Sequence, residues 1–333
     1  MKNGVFVCGM LGVGIALLGM AVAPSGEKFG FRYVAISARV VDEEGTPVSG
    51  ASVSLWTEDI SDRGVHERFE LVSDADGYVT AKGRAQVGIG YEADKEGYYQ
   101  SRKRTMIAFA KLPKGERIPV NLTIRLKRVL NPIPMHVQFV TVKNSGINWD
   151  FQNKCFMYTN TISGYDLVVG DYLPPLGNGR IADLSFHWEL TNIQIPPGES
   201  CSPSCRYDTR FEIALTNCVD GIMKGTYEST DEGESVSELR SDYSAPESGY
   251  ERNVTYWTSH DNQGKRITND DGTKLYYFRI RTETNLVGNV TNALYGKIYF
   301  HGSYRRQFQC YLNTTINDRN VESTRRKDLN NIP

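Results

Sequence analysis

The chain has 333 residues, which at roughly 100 to 200 residues per domain accommodates two domains with their own cores and argues against a third. Its 38 basic and 39 acidic residues leave a formal net charge of -1, so no overall field draws in a polyanion, and nucleic acid is disfavoured as a partner. Nineteen tyrosines and 31 glycines, with few long runs of strong helix formers, point to strands joined by tight turns and hence to an all-β class.

The stretch from Val5 to Ala23 is apolar apart from its glycines, follows Lys2 and ends in Ala21-Val22-Ala23, the small-x-small pattern of a secretory cleavage site. As a helix it would reach about 28 Å, enough to span a bilayer, and Pro24 is awkward for a signal peptidase. Residues 1–23 are therefore an export signal or an uncleaved anchor, and the protein is expected to be periplasmic, at the cell surface or secreted. Contact with a membrane is expected only through an uncleaved N-terminus.

A first domain is expected over 31–128. Val34, Ile36, Ala38 and Val40 fall on one side of a strand, and Ala51, Val53 and Leu55 repeat the pattern after the turn Asp42-Glu43-Glu44-Gly45. Further turns are signalled by Asp74-Ala75-Asp76-Gly77 and Glu96-Gly97, where Asp can bond nearby amides and Gly can take positive φ. In Val120-Asn121-Leu122-Thr123-Ile124-Arg125-Leu126-Lys127 every second residue is aliphatic, which puts one face in a core and the other in water. The charged stretch Thr57 to Arg68 reads as an insert longer than a tight turn needs.

The run from Val41 to Leu55, with Gly45-Thr46-Pro47-Val48-Ser49-Gly50-Ala51 at its centre, resembles the opening of carboxypeptidase regulatory-like (transthyretin-like) domains. Ser73-Asp74-Ala75-Asp76-Gly77-Tyr78 is similar to that family's mid-domain turn, and Lys95-Glu96-Gly97-Tyr98 to the Gly-Tyr after its later strand. The resemblance covers residues 34 to 128 and implies a seven-stranded Greek-key sandwich without an active site, serving as spacer, stabiliser or binding module.

Asn131-Pro132-Ile133-Pro134 stiffens the junction to a second domain over 132–318, followed by a polar tail over 319–333. Strands are expected at His136 to Val142, Ala182 to Leu190, Arg210 to Leu215, Asn253 to Thr258, Leu275 to Thr282, Ala293 to Phe300 and Gln307 to Leu312. Asp270-Asp271-Gly272 reads as the turn of a hairpin between Arg266-Ile267-Thr268 and Lys274 to Phe278, and 230–250 as a long polar excursion. A second sandwich of jelly-roll type is the simplest closure. Gly164-Tyr165-Asp166-Leu167 and Leu294 to Tyr299 resemble phrases of exported bacterial proteins and imply no chemistry.

No catalytic constellation emerges: there is no G-x-S-x-G elbow, P-loop or zinc-protease spacing among the five histidines, and no cofactor is implied. Asp171, Asp183 and Glu189 flank the loop Tyr172 to Arg180, and paired carboxylates there would suit glycoside hydrolysis; solvating acidic groups at strand ends are the plainer reading. No run of carboxylates matches a calcium loop, so no metal is assigned. Trp149, Trp188, Tyr256 and Trp257 are the candidates for a stacking platform, against the plainer reading of core aromatics. In Tyr256-Trp257 adjacent side chains point to opposite faces. Of the cysteines beyond the signal, Cys201 and Cys205 lie close enough in sequence to bridge, with Cys218 and Cys310 as further disulfide candidates and Cys155 as a buried free thiol. The sequence thus reads as an exported non-catalytic β-sandwich pair, structural or ligand-binding, at the cell envelope. A carbohydrate-binding or carbohydrate-active protein and a subunit of an envelope assembly are the alternatives, so the partner is a glycan or another envelope protein.

Overall fold

In the computed structural model the described residues are 31–59, 64–106, 117–142, 147–150, 155–158, 161–194, 206–225, 241–261, 265–301 and 307–323. All regular structure among them is β.

The first unit comprises β1 (Arg32–Val41), β2 (Ser52–Asp59), β3 (Gly64–Val72), β4 (Tyr78–Ala85), β5 (Gly88–Asp94), β6 (Tyr98–Tyr99), β7 (Ser101–Met106), β8 (Ile118–Arg125) and β9 (Lys127–Arg128). A sheet ordered β4-β1-β8 faces a sheet ordered β3-β2-β5-β7, and β6 pairs with β9. The period-two pattern of β1 places Val34, Ile36, Ala38 and Val40 in the core with Val53, Leu55, Ile89, Tyr91 and Ile124 from the other strands. Each fully buried aliphatic contributes about 1.5–3 kcal/mol relative to exposure. The expected insert Thr57 to Arg68 is mostly strand, with Trp56 opposite Arg68 and a bulge after Thr57. Two glycines are required by close approach. A Cβ on Gly77 (φ +80°) would stand 2.4 Å from the Val40 carbonyl, and one on Gly90 would stand 2.2 Å from the Trp56 indole that lies across it.

The second unit comprises β10 (His136–Thr141), β11 (Ile147–Asp150), β12 (Cys155–Tyr158), β13 (Thr161–Asp166), β14 (Asp171–Tyr172), β15 (Leu184–Gln194), β16 (Arg206–Leu215), β17 (Gly221–Lys224), β18 (Asn253–His260), β19 (Arg266–Thr268), β20 (Leu275–Thr284), β21 (Val290–His301) and β22 (Gln307–Asn313). A five-stranded sheet ordered β10-β22-β21-β20-β17 packs on a six-stranded sheet ordered β14-β13-β15-β16-β18-β19, and β11-β12 form a separate hairpin. Between the sheets lie Phe186, Trp188, Phe211, Tyr256, Tyr276, Phe278, Phe300 and Phe308 with aliphatics from the same strands. The sheets are built largely from neighbours in sequence, as meanders, with β10 and β17 added at the edges of the five-stranded sheet. That order departs from the wrapped pairing of a jelly roll.

The Asp270-Asp271-Gly272 turn does not close a hairpin. Arg266–Thr268 pairs with β18 and Leu275–Thr284 with β21, so the turn carries the chain from one sheet to the other. Asp270 and Asp271 accept the amides of Gly272 and Thr273, which is satisfied as well by a crossover as by a hairpin.

Two further expectations give way at the junction between the units. The described part of the expected excursion, 241–250, packs on the outer face of the five-stranded sheet, with Ala245 buried beside Tyr277, Tyr295 and Tyr311. Residues 319–323 are likewise no loose tail: Val321, Glu322 and Ser323 are buried, because Glu322 accepts the Leu130 and Asn131 amides at 2.8 and 2.6 Å and the Tyr99 hydroxyl at 3.1 Å. Lys127 donates to the Ser241 carbonyl, Lys297 to the Ser241 hydroxyl at 2.7 Å, and Tyr243 to the Arg128 carbonyl at 2.9 Å.

Candidate functional site

The end of the second sandwich where β13 turns into β14, β16 into β17 and β20 into β21 gathers three buried aspartates around one arginine. Asp166 closes β13, and its two oxygens accept the amides of Val168 and Val169 at 3.0 and 2.9 Å and of Arg180 and Ile181 at 3.0 and 3.1 Å. Arg281 reaches across from β20, donating to Asp166 at 2.8 Å and to both oxygens of Asp183 at 3.1 Å. Its own amide, and that of Thr282, donate to Asp220 at 3.1 and 2.8 Å. Arg281 has φ 50° at an irregularity between Ile280 and Glu283, a conformation that costs a non-glycine residue about 1–2 kcal/mol and persists because these bonds fix it.

Burial opposes ionisation at each of the three aspartates. At Asp166 the four backbone amides overcome it and hold the carboxyl down to about 2. At Asp183 burial outweighs Arg281 and the Leu167 amide, and at Asp220 it outweighs Thr282, so both are shifted upward. Asp183, the carboxylate nearest to a catalytic reading, is thus occupied on both oxygens and braces the two sheets together. Asp171 is taken up by the amides of Tyr172 and Asn178, both at 2.8 Å. Glu189 lies six residues along the chain from Asp183, about 20 Å at strand rise and well beyond the separation of paired glycosidase carboxylates.

The aromatic candidates separate by strand face. Trp188 and Tyr256 are core residues at 8% exposure each, Trp188 tilted against Phe211 and Tyr256 edge-on to Tyr276 and Phe300. They are withdrawn as ligand contacts. Trp257, the next residue on β18, is 40% exposed on the outer face of the six-stranded sheet. Trp149 pairs with Phe156 in the β11-β12 hairpin, and its side chain lies outside the described residues.

Around Trp257 the register brings Arg210 directly opposite on β16, and Glu189 opposite Arg210 on β15. Glu212 lies opposite His187 and Thr255, and Ile267 opposite Ser259. Antiparallel partners share a face, so these residues line one open surface. Arg210 donates to Glu212 at 2.9 Å and Asn253 to Glu212 at 2.8 Å. Asn269 is clamped to the β18 backbone, accepting the Trp257 amide at 2.7 Å and donating to the Thr255 carbonyl at 2.8 Å. A partly exposed indole on an open sheet face, beside planar donors and acceptors, can stack against a ring while those groups bond its substituents. Arg210, Glu212, Asn269 and Ile267 do not stand out in the sequence, because only strand register brings them beside Trp257.

Cys310 is a free thiol buried between the sheets, where burial pushes its pKa far above the ordinary thiol value, and Cys218 is a free exposed thiol. β22 points Cys310 into an apolar interior, which argues against a bridge there. Cys201 and Cys205 lie outside the described residues, as does the side chain of Cys155. No cluster of metal-ligating side chains occurs among the described residues.

No protein-family model matches the chain, and no curated protein matches it. Solved structures similar to part of it include chlorocatechol 1,2-dioxygenase from Pseudomonas putida, at 12% identity over 29% of this chain and 61% of that one, with a TM-score of 0.25. Two others are 3-chlorocatechol 1,2-dioxygenase from Rhodococcus opacus 1CP (13%, 30% and 62%, TM-score 0.25) and catechol 1,2-dioxygenase from Acinetobacter radioresistens (14%, 30% and 53%, TM-score 0.25). The chain spans between about half and three fifths of the length of these proteins, and likenesses this low carry no argument about chemistry.

Proposed function

We propose that the protein is an exported, non-catalytic module of the cell envelope that binds a glycan through the open face of its six-stranded sheet, centred on Trp257. The first unit, with its resemblance to carboxypeptidase regulatory-like domains, acts as spacer and stabiliser. The observation that carries the reading is the exposure of Trp257 on a regular sheet face while its neighbour Tyr256 is buried. An indole 40% exposed beside Arg210 and Glu212 offers a partly open ring, and its surroundings suit a ligand with one apolar ring face and polar edges. The absence of catalysis is supported by the commitment of Asp171 and Asp183 to loop and inter-sheet bonds.

A glycan array probed with the full chain tests this. Binding to a restricted set of oligosaccharides is expected, with loss of the signal in Trp257→Ala at unchanged melting temperature. An empty array, or equal binding by the variant, would remove Trp257 from the function.

A further inference from the structure

The two sheets of the first unit distribute charge differently over their outer faces. On the sheet ordered β3-β2-β5-β7 the signs mix and pair, Arg68 with Glu70 at 2.9 Å, Arg104 with Glu58 at 2.7 Å and Arg102 with Glu92 at 3.9 Å. On the sheet ordered β4-β1-β8 they do not. Its inward positions fill the core, and the alternate positions of all three strands face out. Those outward positions, with the residue before β8, carry Arg39, Lys82, Arg84, Arg117 and Arg125, and no acidic side chain stands among these described positions. In a chain of 38 basic and 39 acidic residues the charge is thus segregated onto one face, although the total is -1.

Two exposed tyrosines mark the ends of this face. Tyr33 is 59% and Tyr78 42% exposed, Tyr33 opposite Arg84 and Tyr78 opposite Arg39 in the β1-β4 register. Between them the central strand presents only Ala35 and Ser37, with Pro119 and Asn121 beside them on β8, so short side chains make a floor between longer ones. Six residues from Tyr33 to Arg39 measure about 20 Å at strand rise, and three strands measure about 10 Å across. Two of the cations are partly answered. Arg39 lies over the Tyr78 ring at 5.5 Å and donates to the Asp76 carbonyl at 3.4 Å, and Arg84 lies over Phe31 at 5.4 Å with Glu67 at 3.6 Å. Lys82 and Arg117 are exposed and make no ion pair among the described residues.

We propose that this face binds an extended acidic polysaccharide, a chain of uronate-bearing sugars laid along β1 with its carboxylates at the cations and pyranose faces on Tyr33 and Tyr78. Charge complementarity selects an anion. The length of the face selects a polymer over a single ion, and an exposed ring at each end suits the flat face of a sugar. A bilayer fits less well, since the outward positions offer no large aliphatic side chain to the acyl layer. A densely charged polyphosphate is opposed by the net charge of the whole chain. The first unit thereby gains a task beyond spacing, on a surface separate from Trp257.

The test is the affinity of the full chain for polygalacturonate and for alginate. Binding to at least one is expected, weaker by at least about ten-fold at about 0.5 M than at about 0.05 M salt. The carboxyl-esterified polymer, which keeps the rings and loses the charge, should not bind. Lys82→Glu/Tyr33→Thr, at two exposed positions, should weaken binding at least about ten-fold at unchanged melting temperature. Lys82→Gln/Arg117→Gln, which removes charge alone, should act in the same direction. Trp257→Ala should leave this affinity unchanged, so the array result at Trp257 and this one succeed or fail separately. Failure to bind either polymer, equal binding of the esterified form, full binding by both face variants, loss of binding in Trp257→Ala, or tighter binding to single-stranded DNA or phosphatidylglycerol vesicles would each overturn the proposal.

Discussion

Arg281 ties together the end of the second sandwich, because its guanidinium bonds both Asp166 and Asp183 and its backbone amide bonds Asp220. Removing its guanidinium strands two buried carboxylates, and Arg281→Ala is expected to lose about 3–5 kcal/mol in chemical denaturation. The sign of the acid response follows from Asp166. Its folded pKa is depressed to about 2, below the unfolded carboxylate value near 3.8, so its contribution is complete above that value and is lost as pH falls from about 4 to 2. Asp166→Asn should flatten stability across that window. A variant as steeply acid-labile as the wild type would show that another carboxylate sets the limb. At Trp56, Gly90→Ala drives a methyl into the indole and should cost about 1–3 kcal/mol, whereas an Ala at exposed Gly45, which has open space but φ +83°, tests strain alone.

At the scale of the element, β8 and β18 separate burial from function. Ile124→Asp puts a carboxylate into the first core and should prevent folding or cost several kcal/mol, while Thr123→Asp on the wet side should stay within about 0.5 kcal/mol. Tyr256→Ala should cost about 3–5 kcal/mol by opening the second core, and Trp257→Ala close to nothing. Equal melting temperatures for the two β18 variants would mean that the faces are wrongly assigned. The alternation of β1, β2 and β8 is legible in the sequence because one side of each strand meets water, and period two then records the core directly. The same rule locates all seven expected strands of the second unit to within a few residues at most ends. It leaves open which of Tyr256 and Trp257 faces inward, since both are apolar and the pattern carries no contrast at that point. It also misplaces the Asp270-Asp271-Gly272 turn, because local turn chemistry is the same whether the chain returns to its own sheet or crosses to the other. The bracing role of Asp183 is invisible in the sequence, for Arg281 lies 98 positions away and meets it only through the sheet packing.

Across the whole molecule, Tyr99, Lys127 and Arg128 of the first unit close onto Ser241, Tyr243 and Glu322 of the second, so the units share buried hydrogen bonds as well as a linker. Glu322→Ala leaves the Leu130 and Asn131 amides and the Tyr99 hydroxyl without their acceptor, each worth about 1–3 kcal/mol if it stays buried. Calorimetry of the full chain should show the two units melting closer together in the wild type than in this variant; unchanged separation would mean that the junction does not couple them. The first unit has its own core and should still melt cooperatively as a 31–128 fragment, at a lower temperature than in the full chain. With the sandwiches so joined, the proposed binding face on β16, β18 and β19 belongs to the six-stranded sheet, while the junction residues pack on the five-stranded one. The most direct test of that face is affinity electrophoresis of the full chain through gels containing the polysaccharide related to its best array ligand, with reducing ends assayed in parallel. The account predicts retardation of the wild type, no retardation of Trp257→Ala at the same melting temperature, and no release of reducing ends by either. Equal retardation of both proteins, or release of reducing ends, would contradict it.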